Sequence, residues 1–220
     1  MFYKDPQNVY RVRALDGFEW LVHGFGTRSS PSPGSEANLA TLHQVHSDVI
    51  VAAEGRAGCL GEGDALIENR PGSLVAVKTA DCVPILVLDP RNRAVAAVHA
   101  GWRGSVREIS TRAIAEMEKK FSSRAEDLHV AIGPAIGKCC YEVGPEVGTQ
   151  FAAYDPALRD VTQPVHLDLV AINRRQVAAS GVALERIYTS GLCTRCNEEF
   201  HSYRRERQQA GRMFSFVGIR

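Results

Sequence analysis

Between residues 45 and 98 the sequence is dominated by short apolar, β-branched runs, at 45–52, 65–67, 74–77, 83–88 and 94–98. So many runs in so short a span must lie side by side, because an isolated strand leaves its backbone donors and acceptors unsatisfied. The last two flank Asp89-Pro90-Arg91-Asn92, turn-forming residues that predict an antiparallel hairpin. A hairpin closed there sets its open ends opposite one another, and those ends carry Cys82 and His99.

Beyond His99 the pattern changes. Gly101-Trp102-Arg103-Gly104 lets the backbone turn tightly, and Ser105-Val106-Arg107-Glu108 has the form of a capping box. Ile109, Ala113, Met117 and Phe121 then recur every four residues, which predicts a helix with one apolar face. A strand at 128–132, a helix over about 169–179 ended by Gly181, and a closing strand at 214–219 follow. The Ser- and Pro-rich segment from Ser29 to Ser35 reads as an exposed loop. No repeat or long linker divides the chain, so the expectation is one α+β domain over residues 1–220 with mixed sheets, not a regular βαβ array.

Charge narrows the functions open to such a domain. Lys and Arg (26) nearly balance Asp and Glu (25), so there is no large field to gather nucleic acid or an anionic membrane. The apolar runs are too short to span a bilayer. The expectation is a soluble, cytoplasmic, monomeric protein acting on a small molecule. Six cysteines in 220 residues are too few for a disulfide scaffold, and in a reducing compartment they point to metal binding or catalysis.

A thiol beside an imidazole is either a pair of soft metal ligands or a nucleophile with its base. His46, in Leu42-His43-Gln44-Val45-His46 on the first apolar run, is a third candidate. His43 and His46 would face opposite sides of a strand, so only one of them should join the site. Ligand separations of 36 and 17 residues are unlike a zinc finger, and three protein ligands leave a fourth position open to water, as in catalytic zinc sites.

Six segments then carry a resemblance. Gln44-Val45-His46, Gly63-Asp64-Ala65-Leu66-Ile67, Thr79-Ala80-Asp81-Cys82-Val83-Pro84 and His99-Ala100-Gly101-Trp102-Arg103-Gly104 are four of them. The others are the stretch from Ile132 to Val143 that contains Gly137-Lys138-Cys139-Cys140-Tyr141, and Phe200-His201-Ser202-Tyr203-Arg204-Arg205. In this order they resemble the YfiH-like laccase-domain family. The resemblance implies a layered α/β/β/α fold similar to cysteine hydrolases of the deamidase-toxin type, with zinc held by His46, Cys82 and His99. It also implies phosphorolysis of adenosine, inosine and methylthioadenosine, and deamination of adenosine; polyphenol oxidation and editing of peptidoglycan precursors have been assigned to some members. One departure stands out. Only 15 residues separate Arg28 from Gln44, where the family carries an Asn-Leu-containing turn and a helix, and Asn38 matches the family asparagine loosely.

Chemistry ranks these activities. A multicopper oxidase needs about ten histidines, many in His-x-His pairs, whereas this chain has seven and no such pair; copper is therefore the weaker cofactor candidate. Zinc lowers the pKa of water toward about 7, which suits attack on C6 of adenine, with Asp64 or Asp81 to move the proton. Phosphorolysis needs an anion cradle, and Arg103 in the glycine-bounded loop and Arg28 are the candidates to hold phosphate or ribose. The alternatives are an amidase with Cys82 as a free nucleophile activated by His99, and a zinc-stabilised binding protein without turnover. Cys193-Thr194-Arg195-Cys196 has no second pair at finger spacing and reads as structural, while Cys139 and Cys140, if on a strand, face opposite ways. His201 to Arg205 reads as an ion-pair network bracing the sheet, and His23, His129 and His166 as surface or locally bonded groups.

Overall fold

The computed structural model describes residues 1–34 and 37–220. Two mixed sheets lie face to face. The six-stranded sheet runs in the spatial order Ile187–Thr189, His129–Ile132, Val83–Asp89, Ala94–Ala100, Ala65–Glu68, Ile50–Ala52. Its inner pairs are antiparallel, and its two edge strands pair parallel to their neighbours. The seven-stranded sheet is ordered Phe2–Lys4, Tyr10–Val12, Leu21–Phe25, Met213–Ile219, Leu74–Thr79, Leu39–His43, Gly58–Glu62. Only its last two pairings are parallel.

The period of two along each strand sorts side chains between layers. In Val83–Asp89, Val83, Ile85 and Val87 face the helices, while Leu86 and Leu88 face the other sheet. Val75, Val77, Val217 and Ile219 meet them from the seven-stranded side. The strands of the hairpin are buried on both faces, which is why the sequence there is continuously apolar rather than alternating. Each fully buried Val, Leu or Ile stabilises the fold by roughly 1.5–3 kcal/mol. The helices Ile109–Phe121 and Leu169–Ala179 cover the outer face of the six-stranded sheet through Ile109, Ala113, Met117, Leu169, Ile172 and Val177.

The outer face of the seven-stranded sheet is different. Among the described residues its apolar cluster is Val9, Leu39, Leu74, Ala76 and Phe216, with Val22 and Phe214 against it, and no helical residue contributes. The connection after Arg28 reaches that face: Gly34 lies against Leu74 and Leu39. Residues 29–34 form neither strand nor helix, and Ser35, the last residue of the expected loop, lies outside the described residues.

Two local expectations give way. The run 45–52 is a strand only over Ile50–Ala52, preceded by a strand at Leu39–His43 that the sequence did not announce. His46 sits in the loop between them with φ +59°, because Asp64 takes the backbone N–H groups of Val45, His46 and Ser47 and holds them in a turn. The capping box is not formed either. Ser105 lies inside a short helix, Trp102–Val106, where its buried hydroxyl accepts from Asn173, and Glu108 is left-handed with no side-chain cap.

Candidate metal centre

Hairpin register decides where the chemistry falls. His99 pairs with Pro84 and Ala100 with Val83, which carries Cys82 opposite Gly101. On its other side, Ala94–Ala100 pairs with Ala65–Glu68, and the His99 N–H donates to the Asp64 carbonyl at 2.8 Å. Asp64, Cys82 and His99 share the parity of the residues packed between the sheets, so all three side chains gather where that gap reaches the sheet end. The His46 loop closes over them. One ligand atom each from His46, Cys82 and His99 lies within 4.8 Å of the others, with Cys82 Sγ 3.8 Å from His46 Nε2. The two imidazole rings meet edge-on at 4.9 Å.

Gly101 makes room for this convergence. A Cβ there would stand 2.7 Å from His46 Cδ2 and 3.2 Å from Cys82 Sγ, closer than van der Waals contact permits. His43, the other histidine of its pair, ends its strand on the cavity wall and stays outside the cluster.

Asp64 has no exposed surface and lies behind the histidine rather than in the cavity. His99 Nδ1 is 2.7 Å from Asp64 Oδ1, and Ser47 donates its N–H and hydroxyl to Oδ2 at 2.6 and 2.7 Å. Burial alone would raise its pKa, but the hydrogen bonds from His99 and Ser47 outweigh it and hold the carboxyl at about 2. An ionised Asp64 fixes the proton of His99 on Nδ1 and turns Nε2 toward the sulfur, the arrangement that orients metal-binding histidines. Burial would likewise raise the Cys82 thiol and lower His99. The charge each presents to the other, with the hydrogen bonds that the sulfur accepts from the two imidazoles and that Asp64 accepts from His99, reverses both directions and favours thiolate beside imidazolium. One thiolate and two imidazoles form a soft donor set suited to zinc or copper.

The cluster forms the floor of a cavity of about 690 Å³, within the range of small-molecule sites. Its walls are strongly cationic: Lys78, Arg103, Arg204, Arg207 and Arg212 line it, with Trp102, Tyr141 and Tyr203 as aromatic surfaces. The Arg103 guanidinium lies 4.3 Å from the centre of the Trp102 ring, and that of Arg204 5.3 Å from Tyr141. Burial, with the charge of Cys82 nearby, pushes the Tyr141 phenol up to about 12, so it keeps its proton at neutral pH. Asp81 lines the cavity too, but its oxygens already accept from the Thr194 hydroxyl and the Arg204 N–H, both at 2.6 Å.

The sequence-derived candidates thus separate. His46, Cys82, His99 and Arg103 meet at the cavity, whereas Arg28 does not line it: its guanidinium pairs with Glu206 and donates to the Phe200 carbonyl at 3.1 Å. The His201–Arg205 segment divides by residue. Arg205 braces the loops, donating to the carbonyls of Thr194, Arg195 and Phe200, while Arg204 faces the cavity. Lys78, Arg207 and Arg212 carried no motif by which sequence reasoning could have found them.

The cysteines outside the cavity also differ from expectation. Cys139 and Cys140 lie in a turn rather than on a strand, so both sulfurs can point the same way. They meet Cys193 and Cys196, all four sulfur atoms lying within 4.8 Å of one another. The CxxC pair therefore has the partner pair that the linear spacing concealed.

Comparison with known proteins gives a consistent result. Residues 28–220 match the family model described as multi-copper polyphenol oxidoreductase laccase. A purine nucleoside phosphorylase of Clostridium acetobutylicum is 40% identical over 185 residues, covering 82% of this chain and 76% of the relative. An adenosine deaminase from an unknown prokaryotic organism is 38% identical over 161 residues, covering 70% and 61%. The crystal structure of YlmD from Geobacillus stearothermophilus superposes with a TM-score of 0.89 at 28% identity, covering 100% of this chain and 98% of that one.

Proposed function

Because this chain belongs to the family described as multi-copper polyphenol oxidoreductase laccase, and its relatives bear the names purine nucleoside phosphorylase and adenosine deaminase, we propose that it is a zinc-dependent purine nucleoside enzyme. It phosphorolyses adenosine, inosine and methylthioadenosine and deaminates adenosine, as a soluble cytoplasmic protein. The observation that carries this reading is one three-ligand cluster at the floor of a cavity walled by five cations. A multicopper oxidase would need several coppers in histidine-rich sites, and seven histidines of which two join the cluster do not supply them.

In this reading His46, Cys82 and His99 hold the metal. Bound zinc would supply Lewis acidity and lower the pKa of water toward about 7. Asp64 is a positioning residue, keeping His99 protonated on Nδ1 and the His46 loop closed. Arg103 and its cationic neighbours bind phosphate through charge-assisted hydrogen bonds, and Trp102 and Tyr203 offer flat surfaces to a purine. Tyr141, protonated at neutral pH, keeps an O–H available to donate. In phosphorolysis the bond between the purine nitrogen and C1′ breaks, a phosphate oxygen bonds C1′, and the base leaves with a proton. In deamination water replaces the C6 amine and ammonia leaves.

A second reading rests on the line Asp64–His99–Cys82, which is also that of a thiol hydrolase and agrees with the kinship to cysteine hydrolases implied by the sequence resemblance. Cys82 would then be a free nucleophile cleaving an amide. His46 favours the metal, because a nucleophile needs one base, and here a second imidazole nitrogen is directed at the same sulfur. Incubation with adenosine, with and without phosphate, and identification of adenine, hypoxanthine and inosine test the proposal. No loss of adenosine or inosine from zinc-loaded protein in phosphate would overturn it.

A further inference from the structure

We propose a second metal site, a structural zinc held by the four thiolates of Cys139, Cys140, Cys193 and Cys196, separate from the cavity cluster and independent of the function proposed for it. The sulfurs of Cys140 and Cys196 are 3.3 Å apart, those of Cys139 and Cys196 3.7 Å, and no pair in the group exceeds 4.8 Å. Zinc–sulfur bonds of about 2.3 Å in a tetrahedron place sulfurs about 3.8 Å apart. The cluster therefore has the size of a tetrathiolate site, and it has four donors rather than three, leaving no position for water or substrate.

The backbone supports it. Ala135 and Cys193 form an isolated parallel bridge, with the Ala135 N–H donating to Leu192 and the Thr194 N–H to Ala135. These bonds align two loops more than fifty residues apart. The Gly137 N–H donates to Cys193 Sγ at 3.2 Å, the kind of outer bond that stabilises a metal-bound thiolate. Gly137 also has no room for a side chain larger than its hydrogen without pressing on Cys139 and Cys193, whose atoms would lie 3.3 Å from a Cβ. The Asn197 N–H donates back to the Cys193 carbonyl at 3.1 Å, closing the Cys-x-x-Cys turn.

On binding, the four thiols release their protons to solvent and their charge is shared with the dication. Soft thiolate sulfur selects zinc over the hard cations. The consequence reaches the cavity. One loop continues into Tyr141 and the other carries Thr194, which holds Asp81, and both residues so controlled line the cavity. The zinc would thus fix one wall of the substrate site without touching substrate.

Metal analysis of the full chain tests this, run beside Cys193→Ser/Cys196→Ser and Cys82→Ala. Each variant should hold one zinc fewer than the native chain, and the two losses should be independent. A double variant with the native zinc count overturns the proposal whatever Cys82→Ala shows. Conversely, an unchanged count in Cys82→Ala bears only on the cavity reading. Should the double variant fail to fold, cobalt loaded into Cys82→Ala should give the intense sulfur-to-cobalt charge-transfer bands of a tetrathiolate, and their absence overturns the site. Denaturation of the native chain in chelator without reductant should expose six reactive thiols; a smaller number, signifying disulfides, overturns it too. Iron in place of zinc in Cys82→Ala overturns the choice of metal.

Discussion

Asp64→Asn should loosen the whole site from behind. The native carboxylate accepts from three backbone N–H groups, the Ser47 hydroxyl and His99 Nδ1, at 2.6 to 3.3 Å. Holding its pKa at about 2 instead of 3.8 corresponds to about 2.4 kcal/mol at about 1.36 kcal/mol per tenfold. An amide replaces one acceptor oxygen with a donor. Either the Ser47 N–H or the His46 N–H then faces an NH₂ group in a buried position, at a cost of about 1–3 kcal/mol beyond the lost charge-assisted bonds. The total is roughly 3–5 kcal/mol, a fall of about 1 M or more in the urea midpoint at a slope near 3 kcal/mol/M. Zinc affinity should fall about 10–100-fold as His99 and the His46 loop lose their orientation. Ser47→Ala, which removes the hydroxyl's bond to Asp64 and the one it accepts from the exposed Val49 N–H, should cost only about 1–2 kcal/mol. The stabilisation from ionised Asp64 is complete above the unfolded value of 3.8 and disappears as pH falls through about 2, so it leaves no slope at neutral pH. Urea unfolding and zinc competition on both variants are the assays. Asp64→Asn within about 1 kcal/mol of native, at unchanged zinc affinity, would refute the reasoning.

Three other outcomes follow from the geometry. Gly101→Ala should leave the fold intact by circular dichroism yet lose zinc at the cavity, since its Cβ would stand 2.7 Å from His46; native zinc affinity would show that the three groups do not converge. His23 is buried and accepts from the Val12 N–H at 2.9 Å, and burial, with the Arg11 charge nearby, lowers it from 6.5 to about 4. Its neutral form is required for folding, so stability should be full above pH 6.5 and decline by about 3 kcal/mol as pH falls to 4, a slope that His23→Gln should flatten in urea titrations. Arg103→Ala should raise the KM for phosphate about tenfold, the value of one charge-assisted bond, with a smaller effect on the KM for nucleoside; equal effects on both would remove Arg103 from the phosphate site.

The part of the fold legible in the sequence was the part buried on both faces. The hairpin of Val83–Asp89 and Ala94–Ala100 is continuously apolar and bounded by a turn, so the pairing of its strands, and with it the proximity of Cys82 to His99, could be read directly. Leu169–Ala179 was legible from its periodicity and its following glycine. The strands Phe2–Lys4, Tyr10–Val12 and Gly58–Glu62 were not, because short strands at or next to a sheet edge carry mixed polarity and owe their conformation to the strands they pair with. The loop at His46 was missed for a similar reason: a Val-rich run is bent by a carboxylate eighteen residues away. Chemistry found the three-residue cluster because cysteine and histidine are rare and distinctive, but could not find the cationic wall, since Lys78, Arg207 and Arg212 are surface-type residues until the fold turns them inward. The four-cysteine group was hidden by its separation, which the Ala135–Cys193 bridge closes.

The most direct test strips metal from the native chain with a chelator and follows adenosine loss in phosphate buffer as zinc is returned. The stripped chain should be inactive and should recover as the site formed by His46, Cys82 and His99 fills, with no recovery in Cys82→Ala. Turnover by the stripped chain at the rate of the loaded one would contradict the metal-dependent site outright.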